Sequence, residues 1–288
     1  MARNLLSANG APSVGPALRS AAREASPWIE RLARLGYAAR GVVYLLVGYL
    51  AMRAALSPAE GGPTDQKGAL QLLDNGGAGP VVLAVVAVGL VGFALWRVVQ
   101  ALVADPREEK GGRLTVQRIY HGISGLLHLA LAVEAGRLAM QKPGGGGGDE
   151  ARHWTAVAME QSWGRYAVMA AGAILIGVAL KELIGAFAAD FAKRVHVHDL
   201  DAGPRRQVER LGRFGTAARG VAFGISGWFV LQAGLEYDAS EARGLGGVLS
   251  TLREQSYGQV LLGAMALGLI GFGVWQFVKA RYMHLRAA

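Results

Sequence analysis

Seven ionisable residues stand in stretches apolar enough to lie in a bilayer: Arg40, His121, His128, Glu134, Lys181, Glu182 and Arg219. Such residues are costly in a span and mark functional sites when they occur. His121 and His128 share one helix face about 10.5 Å apart, too far for one metal ion. His128 is the histidine nearest mid-span. It is a proton-relay candidate because imidazole changes charge near neutral pH. The plain alternative is a neutral ring bonded to a backbone carbonyl or hydroxyl. No second histidine stands at its depth, which argues against bis-histidine haem, and no metal or other cofactor is expected. Glu134 has Arg137, one turn on, and Arg53, at similar depth, as partners for a structural ion pair. Lys181 and Glu182 diverge by about 100° around a helix and need different partners. For Glu182 a contact with His121 is expected. Arg40 and Arg219 admit two readings. They snorkel to lipid phosphates, or they point inward and form, with His121, a basic ring suited to an anion or lipid headgroup.

The chain offers no nucleophile–base pair at matching depth, so an enzyme is not expected. It has no phosphate loop, His-Glu-x-x-His or nucleotide fingerprint. His196-x-His198 lies in a charged loop with no other ligand nearby in sequence.

The elements that carry these residues are repeated. Ala38-Ala39-Arg40-Gly41-Val42 recurs as Ala217-Ala218-Arg219-Gly220-Val221, an offset of 179. The same offset, without a gap, carries Gly89 to Trp96 onto Gly268 to Trp275. A blurred middle copy aligns Glu160-Gln161-Ser162-Trp163-Gly164 with Glu254-Gln255-Ser256-Tyr257-Gly258, and Ile176-Gly177 with Ile270-Gly271. In this register Gly122 falls on Gly41 and Gly220, so His121 takes the place of Arg40 and Arg219. Glu134 takes that of Arg53 and Gln232. Lys181-Glu182 replaces Trp96-Arg97 and Trp275-Gln276. The chain reads as three tandem units of about 65 residues.

Each unit contains two apolar segments. With 52% hydrophobic and 18% charged residues among 288, the chain is less charged than soluble domains. Spans are expected at about 38–56 and 80–101 (repeat 1, residues 27–104), 118–138 and 165–187 (repeat 2, 113–190), and 217–236 and 258–280 (repeat 3, 208–284). The even-numbered ones reach the roughly 20 residues needed for a bilayer unaided. The odd-numbered ones need flanking charges to snorkel. Residues 1–26 read as a disordered cytoplasmic segment, followed by an interfacial helix from Ser26-Pro27. Gly144 to Gly148 reads as a flexible tether. Ala69 to Leu73, Trp154 to Met159 and Val248 to Leu252 read as short amphipathic helices on the outer interface. They would cap the bundle mouth or gate it.

Of the 30 Lys and Arg, 22 fall on one side of this topology. The positive-inside rule then makes both termini cytoplasmic. The net charge of +9 is explained the same way and gives no reason to expect nucleic acid. The absence of cysteine removes disulfides, thiolate metal sites and a Cys nucleophile.

Two-span repeats share one topology, so the expected architecture is an all-α integral membrane bundle. It has six transmembrane helices in three hairpins with approximate threefold pseudo-symmetry. Gly41, Gly48, Gly89, Gly92, Gly220, Gly227, Gly268 and Gly271 stand at helical spacing and let helices approach closely. Trp96 and Trp275 read as interface anchors.

The motifs Ala-Ala-Arg-Gly-Val, Gly68-Ala69-Leu70 and Gly-Leu-x-Gly-Phe-x-x-Trp resemble those of a bacterial three-repeat membrane family, domain of unknown function twelve-oh-six. The resemblance covers residues 34–283. It implies a six-span inner-membrane protein and no particular activity. The middle repeat departs most, lacking the Arg of the first motif and the Trp of the last. The expected function is a non-enzymatic scaffold or lipid-binding bundle. Its partners would be membrane lipids and a second copy of the chain or another membrane protein. The alternatives are a channel or carrier for a small solute or proton along the pseudo-threefold axis and, third, an intramembrane enzyme.

Overall fold

A computed structural model describes residues 26–57, 65–74, 79–103, 112–140, 150–188, 191 and 202–282. The expectations for the segment before residue 26, for Gly144 to Gly148 and for His196 and His198 lie outside the described residues. Among the described residues, six long helices form three pairs, each with one short α-helix between its two members. The long ones are α1 (Ser26–Leu56), α3 (Gly79–Val103), α4 (Gly112–Ala139), α6 (Gly164–Phe187), α7 (Ala202–Glu236) and α9 (Gly258–Tyr282). The short ones are α2 (Gln66–Asp74), α5 (Glu150–Met159) and α8 (Leu245–Glu254). Among the described residues there is no strand. All six long helices have the length and apolarity to cross a membrane. The protein is a multi-pass membrane protein built from three helical hairpins.

The helices form a ring in chain order. The seams between repeats, α3/α4, α6/α7 and α9/α1, are the most extensive. Within hairpins, α1 packs on α3 and α7 on α9. We call the end that holds Ser26 and Tyr282 the basal end, and the other the short-helix end. Glycines make the close approaches possible. A Cβ on Gly48 would lie 2.9 Å from the Ile270 backbone nitrogen of α9, and one on Gly227 would lie 2.9 Å from that of Ile176 in α6. Within hairpins, Gly89 faces Ala39 and Gly268 faces Ala218.

Helix ends are capped across the repeat seams. Arg34 of α1 donates to the carbonyls of Ala280 and Arg281 at the end of α9, at 2.9 and 2.7 Å. Its repeat mate Arg213 of α7 donates to those of Ala186 and Ala188 at the end of α6, both at 2.8 Å. These bonds satisfy carbonyls that a helix leaves without partners.

Two expectations are corrected here. The segment after Ser26 leads into the first span as expected, but its apolar face packs on the bundle rather than on the membrane interface. α1 runs unbroken through it, and Ala33 and Tyr37 are buried against Phe93 and Trp96. Trp96 and Trp275 are not interface anchors either, because both are 4% exposed. Trp275 stacks on Phe191 with ring centroids 4.9 Å apart. The pseudo-symmetric bundle is wide enough at its basal end to enclose both indoles.

The register of the middle repeat is also corrected. Gly41 packs on Gly273 and Phe277, Gly220 on Ala179 and Leu183, and Gly125 on Ala94 and Val98. Those partners are equivalent in the three second helices, so Gly125, not Gly122, is the mate of Gly41 and Gly220. A Cβ on Gly122 would meet nothing within 4 Å. Ser124 therefore stands where Arg40 and Arg219 stand. His121 falls on Tyr37 and Thr216, His128 on Tyr44 and Phe223, and Glu134 on Leu50 and Phe229. Arg137 is the mate of Arg53 and Gln232. The two glycines lie three residues apart on one helix, which is why letter matching alone selects the wrong one. Arg118 supplies the missing signal, since it matches Arg34 and Arg213 only in the corrected register.

Candidate functional site

The middle hairpin is the one place where the ring fails to close, because α4 and α6 make no packing comparable to that of the other neighbours. The corrected register gives the reason. The small pairs Ala39·Gly89 and Ala218·Gly268 become Ile123·Ile174. The pairs Gly36·Phe93 and Gly215·Phe272 become Tyr120·Val178. Neither position keeps the small side chains that let the equivalent helices of the other repeats approach closely. A Cβ on Gly177 would meet nothing within 4 Å, whereas its mates Gly92 and Gly271 pack on Leu32 and Leu211.

Behind this gap lies a cavity of about 740 Å³, within the range of small-molecule sites. The four substituted positions, Tyr120, Ile123, Ile174 and Val178, line it together with Gly177. Ile123, Leu127 and Ile174 on its rim are 40%, 63% and 50% exposed. The walls are largely apolar. At the short-helix end the cavity reaches Asp65, Gln66 and Lys67 at the start of α2. Asp65 caps that helix by accepting from the Gly68 N–H at 3.0 Å. Ala69 and Leu70 of α2 are fully buried against the bundle.

The basal end of the cavity is basic. Arg40, Arg97, Lys181 and Arg219 line it. Arg40 and Arg97 lie over the Phe93 ring, with guanidinium carbons 4.6 and 5.0 Å from its centroid. Arg219 lies over Phe272 at 4.6 Å. Lys181 Nζ lies 4.1 Å from the Tyr120 centroid. Among the described residues, only Arg219 of these four has a carboxylate partner. Its Nη2 pairs with Glu182 Oε1 at 2.5 Å, across the α6/α7 seam.

A family model matches residues 35–104, 120–189 and 214–283. The chain belongs to the Domain of Unknown Function (DUF1206) family. It is also similar to the uncharacterized protein YxxB of Bacillus subtilis (strain 168). That relative is 30% identical over 263 residues, covering 91% of this chain and 94% of the other. No solved structure matches this chain.

In this DUF1206 chain the candidate residues divide into three groups. Arg40 and Arg219 are 5% and 8% exposed, so they do not snorkel to the headgroups. The expected symmetric ring is replaced by a cluster that draws Arg97 and Lys181 in and leaves His121 out of the lining. Glu182 does not meet His121. It meets Arg219, because the two face each other across the seam that Gly220 closes. His121 instead accepts from Arg97 Nη1 at 2.7 Å. His128 lines the cavity, bonded through Nδ1 to the Ser124 carbonyl at 2.6 Å and tilted over Phe93. Glu134 stands apart from the cavity. It is 5% exposed, and its Oε1 has no hydrogen-bond partner among the described residues.

Sequence reasoning missed Arg97, Tyr44, Tyr120, Gln276 and Lys279. Tyr44 lines the cavity and faces the side chains of Gln66 and Arg219. Lys279 Nζ lies 5.1 and 5.6 Å from the Tyr37 and Phe272 centroids. Gln276 is fully buried, and neither of its amide atoms has a partner. The available signal was the trio Arg97, Glu182 and Gln276 at one repeat position. Polar side chains in all three copies at a buried depth mark a face that is not purely packing.

Proposed function

We propose that this DUF1206 protein is a non-enzymatic binding protein for an amphiphile that enters sideways from the bilayer between α4 and α6. The observation that carries the reading is the open middle hairpin over an apolar cavity with a basic floor. Hydrocarbon chains suit the walls and rim, and a polar head suits the arginines. The bacterial inner membrane is the setting, with the basal end cytoplasmic. The support is the excess of Lys and Arg in the basal loops. Membrane lipids are the partners, and pairing with a second copy or another membrane protein is compatible with this role.

The competing reading is a channel or carrier for a small solute or proton along the axis. It rests on the cavity reaching from Arg40 to Lys67. One experiment separates the two. Gly177 lines the cavity with free space around it, whereas Gly122 has free space but does not line it. Gly177→Trp fills the cleft and Gly122→Trp is its control. Native mass spectrometry from mild detergent should show lipid retained by wild type and Gly122→Trp and depleted in Gly177→Trp. Equal lipid on all three removes the lateral site. Solute flux into liposomes that Gly177→Trp blocks assigns transport instead.

A further inference from the structure

We propose that the basic floor of the cavity binds a phosphate monoester dianion, with Arg40 as a principal ligand, and that the neutral Gln276 leaves Arg40 free to take it. The proposal rests on the laterally open cavity above and adds the head group.

Three equivalent seams carry the argument. Glu182, Gln276 and Arg97 hold one position on the second helices, while Arg219, Arg40 and Ser124 hold the facing position on the first helices. At the α6/α7 seam, a carboxylate neutralises a guanidinium whose side chain is 9% exposed. At the α9/α1 seam the carboxylate is replaced by an amide. Arg40 is 5% exposed, forms no ion pair among the described residues, and its Nε lacks a hydrogen-bond partner. Among the described residues it has the ring faces of Phe93, Phe272 and Tyr44, at 4.6, 5.7 and 5.9 Å. At the α3/α4 seam the second-helix position holds another cation, Arg97, whose Nε is also without a partner.

Of the four cations at this end of the cavity, Arg40, Arg97 and Lys181 thus lack a carboxylate among the described residues. Of these three Arg40 is buried, Arg97 half-buried and Lys181 exposed; a buried cation without a counter-ion is strongly unfavourable, and the aromatic faces around Arg40 offset that only in part. The missing negative charge is supplied by a ligand. Guanidinium forks match phosphate oxygens two at a time. Three uncompensated cations favour the two charges of a monoester over the single charge of a diester. The apolar walls make a lipid the natural carrier of that group, and free phosphate shares its chemistry.

The test uses the full chain in phosphatidylcholine nanodiscs. Binding of fluorescent phosphatidic acid is compared with that of phosphatidylglycerol and with competition by inorganic phosphate. Gln276→Glu recreates at Arg40 the pair that Glu182 makes with Arg219, and Gln276→Met is the uncharged control. Wild type should favour phosphatidic acid over phosphatidylglycerol by about tenfold or more, consistent with charged hydrogen bonds. Gln276→Glu should lose about tenfold or more with unchanged thermal melting, and Gln276→Met should stay within about threefold of wild type. Lipids that bind without head-group preference leave the lateral cavity standing and overturn the phosphate assignment, as does full binding by Gln276→Glu. Binding of inorganic phosphate alone, with no lipid bound, supports the phosphate assignment and overturns the lateral reading.

Discussion

Alanine at Gly92 and alanine at Gly177 should move stability in opposite directions, although the two residues hold the same position in repeats 1 and 2. A new Cβ at Gly92 would lie 2.6 Å from the Leu32 carbonyl oxygen and 2.9 Å from its Cβ. The first of these is backbone and cannot swing aside, so α1 and α3 must separate. Overpacking of this kind costs about 1–3 kcal/mol, against a helix-propensity gain of up to about 1 kcal/mol. The net change is a loss of up to about 3 kcal/mol. At Gly177 nothing lies within 4 Å, so only the propensity gain remains and the variant should match or exceed wild type. The third mate is intermediate. At Gly271 the nearest atom is the flexible Leu211 Cδ1 at 3.0 Å, with the carbonyl at 3.2 Å. Reversible unfolding in mixed micelles, followed by tryptophan fluorescence, would rank the three. The expected order of stability is Gly177→Ala, then Gly271→Ala, then Gly92→Ala. If Gly177→Ala were as destabilised as Gly92→Ala, the middle hairpin would be packed like the others. The open cleft and everything built on it would then fall.

Glu182→Gln should cost about 3–5 kcal/mol in the same assay, since it strands the buried Arg219. Adding Arg219→Met should recover part of that loss, and an additive double variant would show that the two do not interact. Leu70→Asp places a charge on a fully buried position of α2. It should detach this short helix, read as faster proteolysis or hydrogen exchange over residues 66–74, and unchanged protection there would contradict its buried packing. In single-tryptophan variants, lipids brominated at successive acyl-chain positions should quench Trp228, which is 57% exposed, at some depth. Trp96 and Trp275 should resist quenching at every bromine depth, and strong quenching of either would restore them as interface anchors.

The sequence by itself determined the fold class, because spanning length, apolarity and an offset of 179 are one-dimensional properties. Six helices and three hairpins follow from them, with Gly48 and Gly227 at the close approaches. It also identified the middle repeat as the divergent one and drew attention to Lys181, Glu182 and His128. What it could not determine was register inside that repeat. Gly122 and Gly125 fit the pattern almost equally, and only the partners of Gly125 on α3 decide between them. Pairing across seams was equally invisible, because Glu182 and Arg219 meet through the packing of two separate repeats. The same holds for the cleft. Ile123 and Ile174 look like ordinary span residues until the structure sets them where Ala39 and Gly89 touch. A close approach is a property of two facing side chains, so three-dimensional packing had to decide it.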